Sequence, residues 1–252
     1  MINELRVFYK KNGILSTSFT CPCKRECKGD CLDFTGPKSA FVSTGYEAGE
    51  LPRLLFLSLD SGKGAGNDSQ RSPLPVRKRL EAIDVSTLHK GKHWYLTHEL
   101  AWYILNPFRG GLKLEETKRY FAHANSVKCC VNNEGNKKAD RVLYKNCQRY
   151  LKGEMTILSP EIIVTQGNEA KVAVRSLCEK NVKRFDEYAS IIRLNGDDVF
   201  WLHTYHPSCY GRFHTQRDFD KKKNIARGWV KYSRKIHGYI SKGRLAKRRV
   251  RN

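Results

Sequence analysis

The sequence predicts an α/β fold, a sandwich around a central, mostly parallel sheet, and three observations carry that prediction. Leu54–Leu59 is a short apolar run that stops abruptly at Asp60-Ser61-Gly62, as a fully buried strand does. Strand-like segments of this kind alternate with helix-patterned ones along the chain. The length, 252 residues, suffices for a sizeable core in one large domain or two small ones.

Composition narrows the function. Lys and Arg number 47 against 25 Asp and Glu, a net charge of +22, which is the electrostatic footprint of a protein that meets a polyanion, most commonly nucleic acid. No stretch approaches the ~18 apolar residues of a membrane span, and the first residues lack the apolar core of a signal peptide. A cytoplasmic protein without membrane contact is expected. Nine cysteines in a reducing compartment then read as metal ligands or buried hydrophobes rather than disulfides.

In chain order, residues 1–20 are weakly patterned and read as an arm. Cys21, Cys23, Cys27 and Cys31 follow within eleven residues, interleaved with charge, which points to zinc or an iron–sulfur cluster. Phe41-Val42-Ser43-Thr44-Gly45 reads as a strand approaching the sheet, and Leu54–Leu59 as the first core strand. Residues 61–92, rich in Gly, Ser, Lys and Arg with Pro73 and Pro75, read as a long loop over the site. Thr97 is placed to cap a helix over His98–Leu105, ended by Asn106-Pro107. Tyr120–Val127 is a second strand, followed by a polar loop through Asp140.

Tyr144, Cys147, Leu151, Met155 and Leu158 share one face of a helix over 141–158. Ser159-Pro160 breaks it, Glu161–Thr165 is a third strand, and Gly167 turns the chain into a helix over 168–179. Ala189–Leu194 and Val199–His203 flank a turn at Asn195-Gly196-Asp197-Asp198 as a hairpin. A helix is expected from Gln216 to His237. The last thirty-two residues hold thirteen Lys or Arg and no acid after Asp220, a tail suited to phosphates.

Four features in this order resemble the uracil-DNA glycosylase superfamily, above all its iron–sulfur branch. They are the strand leading into Ser58-Leu59-Asp60-Ser61-Gly62, Ala124-Asn125-Ser126-Val127-Lys128-Cys129, Cys147-Gln148-Arg149-Tyr150-Leu151 with Leu158-Ser159-Pro160 through Gly167, and His206-Pro207-Ser208. The resemblance implies a three-layer α/β/α sandwich over residues 21–238, between an arm of residues 1–20 and a basic tail of residues 239–252. It further implies a structural [4Fe–4S] cluster, with Cys129 and Cys147 as two ligands. Cys27 and Cys31 complete the set, with Cys23 in reserve; the alternative is a zinc site of Cys21, Cys23, Cys27 and Cys31. Cys130, Cys178 and Cys209 have no part in either.

The resemblance also implies base release. A glycosylase must extrude its base from the stack, a few kcal/mol offset by phosphate contacts and a wedge side chain. Tyr210, Arg212 and Phe213 are the wedge candidates, and Lys63 is a further DNA contact. Tyr95, with Trp94 in reserve, falls where the family stacks an aromatic on the base, although both also suit the core of a helix start. Asn125 carries a donor and an acceptor for a pyrimidine edge. Asp60 would stabilise the cationic sugar or orient a water, and His206 would hydrogen-bond the departing base anion.

The first motif departs from the family's. Leu59 stands where the iron–sulfur branch has Glu, and Leu59, Ser61 and Gly62 remove a Pro and a bulky aromatic. A pocket opened in this way suits a base larger than uracil, such as a hypermodified cytosine of bacteriophage DNA, removed in defence by a monofunctional, monomeric glycosylase acting on DNA. Uracil repair is the alternative. A non-enzymatic, metal-stabilised nucleic-acid binder would leave Asp60, Asn125 and His206 without a role, and a metal-dependent nuclease lacks a carboxylate partner for Asp60.

Overall fold

The computed structural model describes residues 1–31, 34–59, 67–131 and 141–249; of Tyr210 and residues 244–249 it describes the backbone alone. Asp60 and Lys63 therefore lie outside the described residues, as does the Tyr210 side chain.

The elements in chain order are α1 (Ile2–Lys11), α2 (Lys24–Lys28), β1 (Phe34–Thr35), β2 (Phe41–Val42), α3 (Thr44–Ala48), β3 (Leu54–Ser58), α4 (Pro73–Glu81), α5 (His93–Arg109), β4 (Phe121–Asn125) and β5 (Cys130–Val131). They continue with α6 (Arg141–Leu158), β6 (Ile162–Gln166), α7 (Asn168–Leu177), β7 (Lys180–Arg184), β8 (Ala189–Leu194), β9 (Asp197–Thr204), α8 (Tyr210–Arg217), β10 (Phe219–Asp220), β11 (Ile225–Ala226) and α9 (Arg227–Arg249). Among the described residues seven strands form the main sheet, in the order β2-β4-β3-β6-β9-β8-β7. Its centre, β4-β3-β6-β9, is parallel; β2, β8 and β7 run antiparallel to their neighbours.

Successive strand residues point to opposite faces, and this divides the core in two. Leu54, Phe56, Phe121, Ile162, Val164 and Phe200 pack under α5 and α9. Leu55, Leu57, Ala122, Ala124, Ile163 and Trp201 pack under α1, α6 and α7. The result is the expected three-layer α/β/α sandwich. Residues of β3 and β6 are buried on both faces, which is why they read as unbroken apolar runs. β7, the edge strand, is exposed along its whole length and carries Lys180, Lys183 and Arg184, charges that discourage pairing with another chain.

From β3 the chain crosses to β4 on one side, then returns through α6 to β6 on the other. The carboxyl ends of β3 and β6 thus form a topological switch point, where open α/β sheets bind ligands.

Several elements differ from the sequence reading. Residues 2–11 are a helix, not a loose arm: Leu5 and Tyr9, one turn apart, are buried in the core. Gly153 admits its approach to α6, since a Cβ there would stand 2.3 Å from the Phe8 ring. The loop read over 61–92 contains α4, with Pro73 in its first turn, where its missing N–H costs nothing. α5 begins at His93, so Thr97 is interior, its hydroxyl donating to the His93 carbonyl at 2.9 Å. Pro107 lies inside α5 as well. Its ring removes the N–H that would reach the Tyr103 carbonyl, and Ser233 Oγ of α9 donates there instead. The single helix expected over 216–237 is α8, a β10–β11 hairpin and α9. Asp218 and Asn224, both at positive φ, turn the chain at the hairpin's two ends. α9 carries part of the basic tail as helix, to Arg249.

Candidate active site

Ser58, Asn125 and Gln166 stand at the carboxyl tips of β3, β4 and β6, and His206 follows β9. The loop after β4 is fastened to the loop after β3. Ser126 N and Val127 N donate to the Ser58 and Leu59 carbonyls at 2.9 and 3.0 Å, and Ser126 Oγ adds a bond to Leu59 O at 2.6 Å. Leu59, the last described residue before Asp60, is thereby fixed.

Gly167 brings Leu59 and His206 to one place. Its φ is +102°, in the region glycine favours, and a Cβ there would lie 2.8 Å from Leu59 Cδ2 and 3.4 Å from His206 Cβ. The tip of β3 and the His-Pro-Ser turn therefore flank the same glycine.

Beneath them runs a buried polar network with few assignable proton arrangements. Gln166 Oε1 accepts from Ser58 Oγ at 2.7 Å and stands 2.9 Å from His93 Nε2, which must therefore carry the proton. Ser58 Oγ, having given its hydrogen to Gln166, accepts from His123 Nε2–H at 2.8 Å. Gln166 Nε2 donates to Thr97 Oγ1 at 3.0 Å. Every member is satisfied with both imidazoles neutral. Burial, first, pushes His93 down to about 4, aided by neighbouring His206, and pushes His123 well below the usual imidazole range.

His206 stacks on His93, ring centroids 4.9 Å apart and 6° from parallel. The backbone N–H of Ser208 donates to His206 Nδ1 at 3.1 Å. That bond leaves the neutral ring's proton on Nε2, so His206 presents a donor. Burial lowers its pKa too, favouring the neutral form. Gln216 holds the approach to this turn, its amide accepting from Tyr205 N and donating to His203 O.

Asn125 is buried, level with Ser58 across the β3–β4 ladder, and its side-chain amide has no hydrogen-bond partner among the described residues. Its carbonyl accepts from Lys128 Nζ at 2.6 Å, and Lys128 in turn forms a fully buried ion pair with Glu154.

Other sequence-predicted residues go elsewhere. Trp94 stays near the network, edge-on to His123 with centroids 5.3 Å apart, but also packs on Phe41 and Phe121. Tyr95 is two positions from His93, about 200° around the helix, and lines a separate cavity with Glu99, Trp102 and Arg217. Phe213 is fully buried against Trp229, so it is core and cannot act as a wedge. Arg212 is exposed, with its guanidinium 5.7 Å from the centroid of the Tyr205 ring. The sequence reading missed His93, His123, Ser58 and Gln166. Gln166 and Ser58 lay inside quoted motifs, and His93 immediately precedes the two aromatics that were chosen.

The thiols gather at the other end of the β4 loop. Cys23, Cys27, Cys129 and Cys147 share one buried cluster with Val127 and Leu143, and Cys21 packs against it, its sulfur 3.1 Å from Tyr150 OH. Cys31 is buried but outside that cluster, while Cys23 lies in it with Cys27, and Cys21 and Cys27 are the thiols that act electrostatically on both Cys129 and Cys147. Burial raises the Cys129 pKa and pushes Cys147 up to about 11, so the thiols are protonated unless a cation offsets the desolvation. Among the described residues no three Cys, His, Asp or Glu side chains stand in metal-binding geometry. The fit to a cluster is therefore one of composition and proximity.

The family profile of the uracil DNA glycosylase superfamily matches residues 87–229, from just before α5 into α9. The chain belongs to the uracil DNA glycosylase superfamily. The match includes Asn125, Cys129, Cys147, Gln166 and His206, while β3 and the Cys21–Cys31 segment precede it. A search of curated proteins finds no match to the chain. Membership makes the protein a DNA glycosylase in general class, a hydrolase whose substrate is DNA. Among the described residues no helix is long and apolar enough to cross a membrane.

Proposed function

We propose that this protein is a monofunctional glycosylase that extrudes a pyrimidine-type base from DNA and hydrolyses its N-glycosidic bond. The observation that carries this reading is the His206 tautomer: a neutral imidazole with Nε2–H free to donate, beside the tip of β3. As the glycosidic bond breaks, negative charge gathers on the departing base, and a fixed donor in a water-poor site stabilises it without needing to transfer a proton. Asp60, one residue beyond the fixed Leu59, is our assignment for the group that faces the cationic sugar. The Asn125 amide, at the tip of β4, is our assignment for the base edge. For stacking on the base, His93 takes the role that chain distance had given Tyr95, because His93 touches both His206 and Gln166.

We further propose a base larger than uracil, with a modified cytosine of bacteriophage DNA as substrate and defence as the role. The support is in the first motif, where Leu59, Ser61 and Gly62 remove bulk. A [4Fe–4S] cluster on Cys129, Cys147, Cys27 and either Cys21 or Cys23 would tie the Cys21–Cys31 segment to the β4 loop, structurally and without a part in bond cleavage.

The test is mass spectrometry of the base released from DNAs carrying uracil, 5-hydroxymethylcytosine or its glucosylated form. The expected result is release from the modified DNAs, reduced about 10²–10³-fold by His206→Ala and abolished by Asp60→Asn with DNA binding retained. Release of uracil alone would sink the defence reading, and no release of any base would sink the enzyme reading.

A further inference from the structure

α5 separates two sites. Its first residue, His93, faces the network at the strand tips, while Tyr95, Glu99, Trp102 and Tyr103 form its opposite face and wall a cavity of about 980 Å³. That volume lies at the upper end of the ~300–1,000 Å³ typical of sites for small-molecule-sized groups. Phe219 of the β10–β11 hairpin closes the far side. In the floor, Arg217 donates twice to Glu99, at 2.7 and 2.5 Å, and its guanidinium lies 4.2 Å from the centroid of the Phe219 ring. The floor is thus a neutralised ion pair among aromatics.

The rim is cationic. Lys90, Lys113, Lys221 and Lys223 line it and are exposed, with Glu115 the acid set among them. Among the described residues none of the four lysines has an ion-pair partner, whereas Arg77, Arg193 and Arg227 are all paired. The hairpin turn is held in place by Lys222 N and Lys223 N donating to Asp220 Oδ1 at 3.0 and 3.2 Å. Aromatic walls beneath unpaired lysines are the arrangement by which proteins hold single-stranded nucleic acid, bases on the rings and phosphates on the rim.

We propose that this cavity is a second nucleotide subsite, which takes an unstacked base of the substrate strand beside the extruded nucleotide. The inference rests on the glycosylase reading above. His93 and Tyr95 share the first turn of α5, so a strand crossing that helix end can place one base on each side. The helix N-terminus favours the phosphate between them. A flanking base held in this way gives the enzyme a preference for DNA unpaired around the target.

The experiment is fluorescence anisotropy of a labelled ten-residue oligothymidylate on the full chain across a salt series. Tyr95→Leu keeps the apolar wall and removes the ring, and affinity is expected to fall about 5- to 100-fold. Lys221→Glu with Lys223→Glu should also weaken binding and flatten the slope of log K against log salt by about 1.4, two phosphates' worth on a single strand. Unchanged binding by Tyr95→Leu overturns the subsite, whatever the lysine variant does, because a diffuse basic surface would need no ring. Base release from single-stranded and duplex DNAs carrying the bases named above is scored in parallel. Its absence in the wild type overturns the glycosylase reading and the subsite with it; its presence beside unchanged oligothymidylate binding overturns the subsite alone.

Discussion

Removing the charge of Glu154 while keeping its shape tests how the site is held. Lys128 and Glu154 are 1% and 0% exposed, and no water reaches either. Glu154 Oε1 also accepts from Tyr9 OH at 2.5 Å, and that hydroxyl accepts from Ala40 N at 3.0 Å. Glu154→Gln leaves an amide carbonyl for Tyr9, so the loss is confined to the partner of a buried ammonium. Stripping one partner from a buried pair costs about 3–5 kcal/mol. At about 2–4 °C per kcal/mol for a chain of this size, the melting temperature should fall roughly 6–20 °C. Glu154→Ala also orphans the Tyr9 hydroxyl and should cost a further ~1–3 kcal/mol. Lys128→Met with Glu154→Leu replaces both charges by apolar groups and should recover much of the loss. Urea denaturation of these three variants and the wild type, with the singles Lys128→Met and Glu154→Leu added to close the double-mutant cycle, is the assay. A Glu154→Gln variant within about 1 kcal/mol of the wild type would refute the reasoning, since an isolated buried charge cannot be that inexpensive.

Two further outcomes follow from the buried imidazoles and the thiols. His98 is fully buried with its Nε2 unpartnered, and burial holds its pKa near 4. Its folded pKa is below the ordinary ~6.5, so the unfolded chain binds the extra proton between those values and stability falls as pH drops from 6.5 towards 4, by up to about 3 kcal/mol. His93, His123 and His203 are depressed by burial in the same direction and share that limb, so His98→Phe should make a urea-midpoint profile shallower there by the part His98 contributes, and a wild-type profile level from 6.5 to 4.5 would contradict the neutral assignment. Glu47, held down to about 2 by the Ile2 N–H and Arg77 against its own burial, acts only in the separate window below its ordinary value. Anoxically purified protein should carry about four iron and four sulfide per chain if the thiols hold a [4Fe–4S] cluster. Cys129→Ser and Cys147→Ser should lose that iron and Cys31→Ser should keep it; zinc in place of iron, or iron retained by Cys147→Ser, would refute the ligand set.

How much the sequence disclosed depends on whether a feature was local. β3, β4 and β6 were legible because strands buried on both faces are continuous apolar runs, and α6 because its buried residues recur at helical spacing. α1 was not, since only Leu5 and Tyr9 are fully buried, with Ile2 and Phe8 half-buried beside them and the remaining residues mostly polar. Pro107 marked a helix end by every local rule, yet a hydroxyl from α9 satisfies the carbonyl it abandons. The break at 218–226 carries no Gly or Pro; two polar residues at positive φ and an Asp218–Arg227 pair make the turn. In the site, Asn125 and His206 were legible as motif residues. His93 was not, because a stack between a helix start and a loop over a hundred residues away leaves no spacing to read. Tyr95, chosen by distance along the chain, lies on the face of α5 away from the strand-tip network.

Lys128 shows why the cysteines and the site belong to one argument. Its ammonium holds the Asn125 carbonyl, its backbone N–H lies 3.4 Å from Cys147 Sγ, and its next neighbour is Cys129. Five residues, Asn125 to Cys129, therefore run from the strand-tip amide to the thiol cluster. Ser126 and Val127 fasten the near end to Leu59, and Glu154 fastens the middle to α6 and, through Tyr9, to α1. A segment restrained at each step has little freedom to pivot, so whatever orders the thiols also orders the Asn125 amide. An imidazole donor and an amide edge are useful to a departing base only if they are already in place when charge develops. On this geometry the thiols are tied to the strand tips through Lys128, which is also the charged neighbour shared by Cys147 and His123.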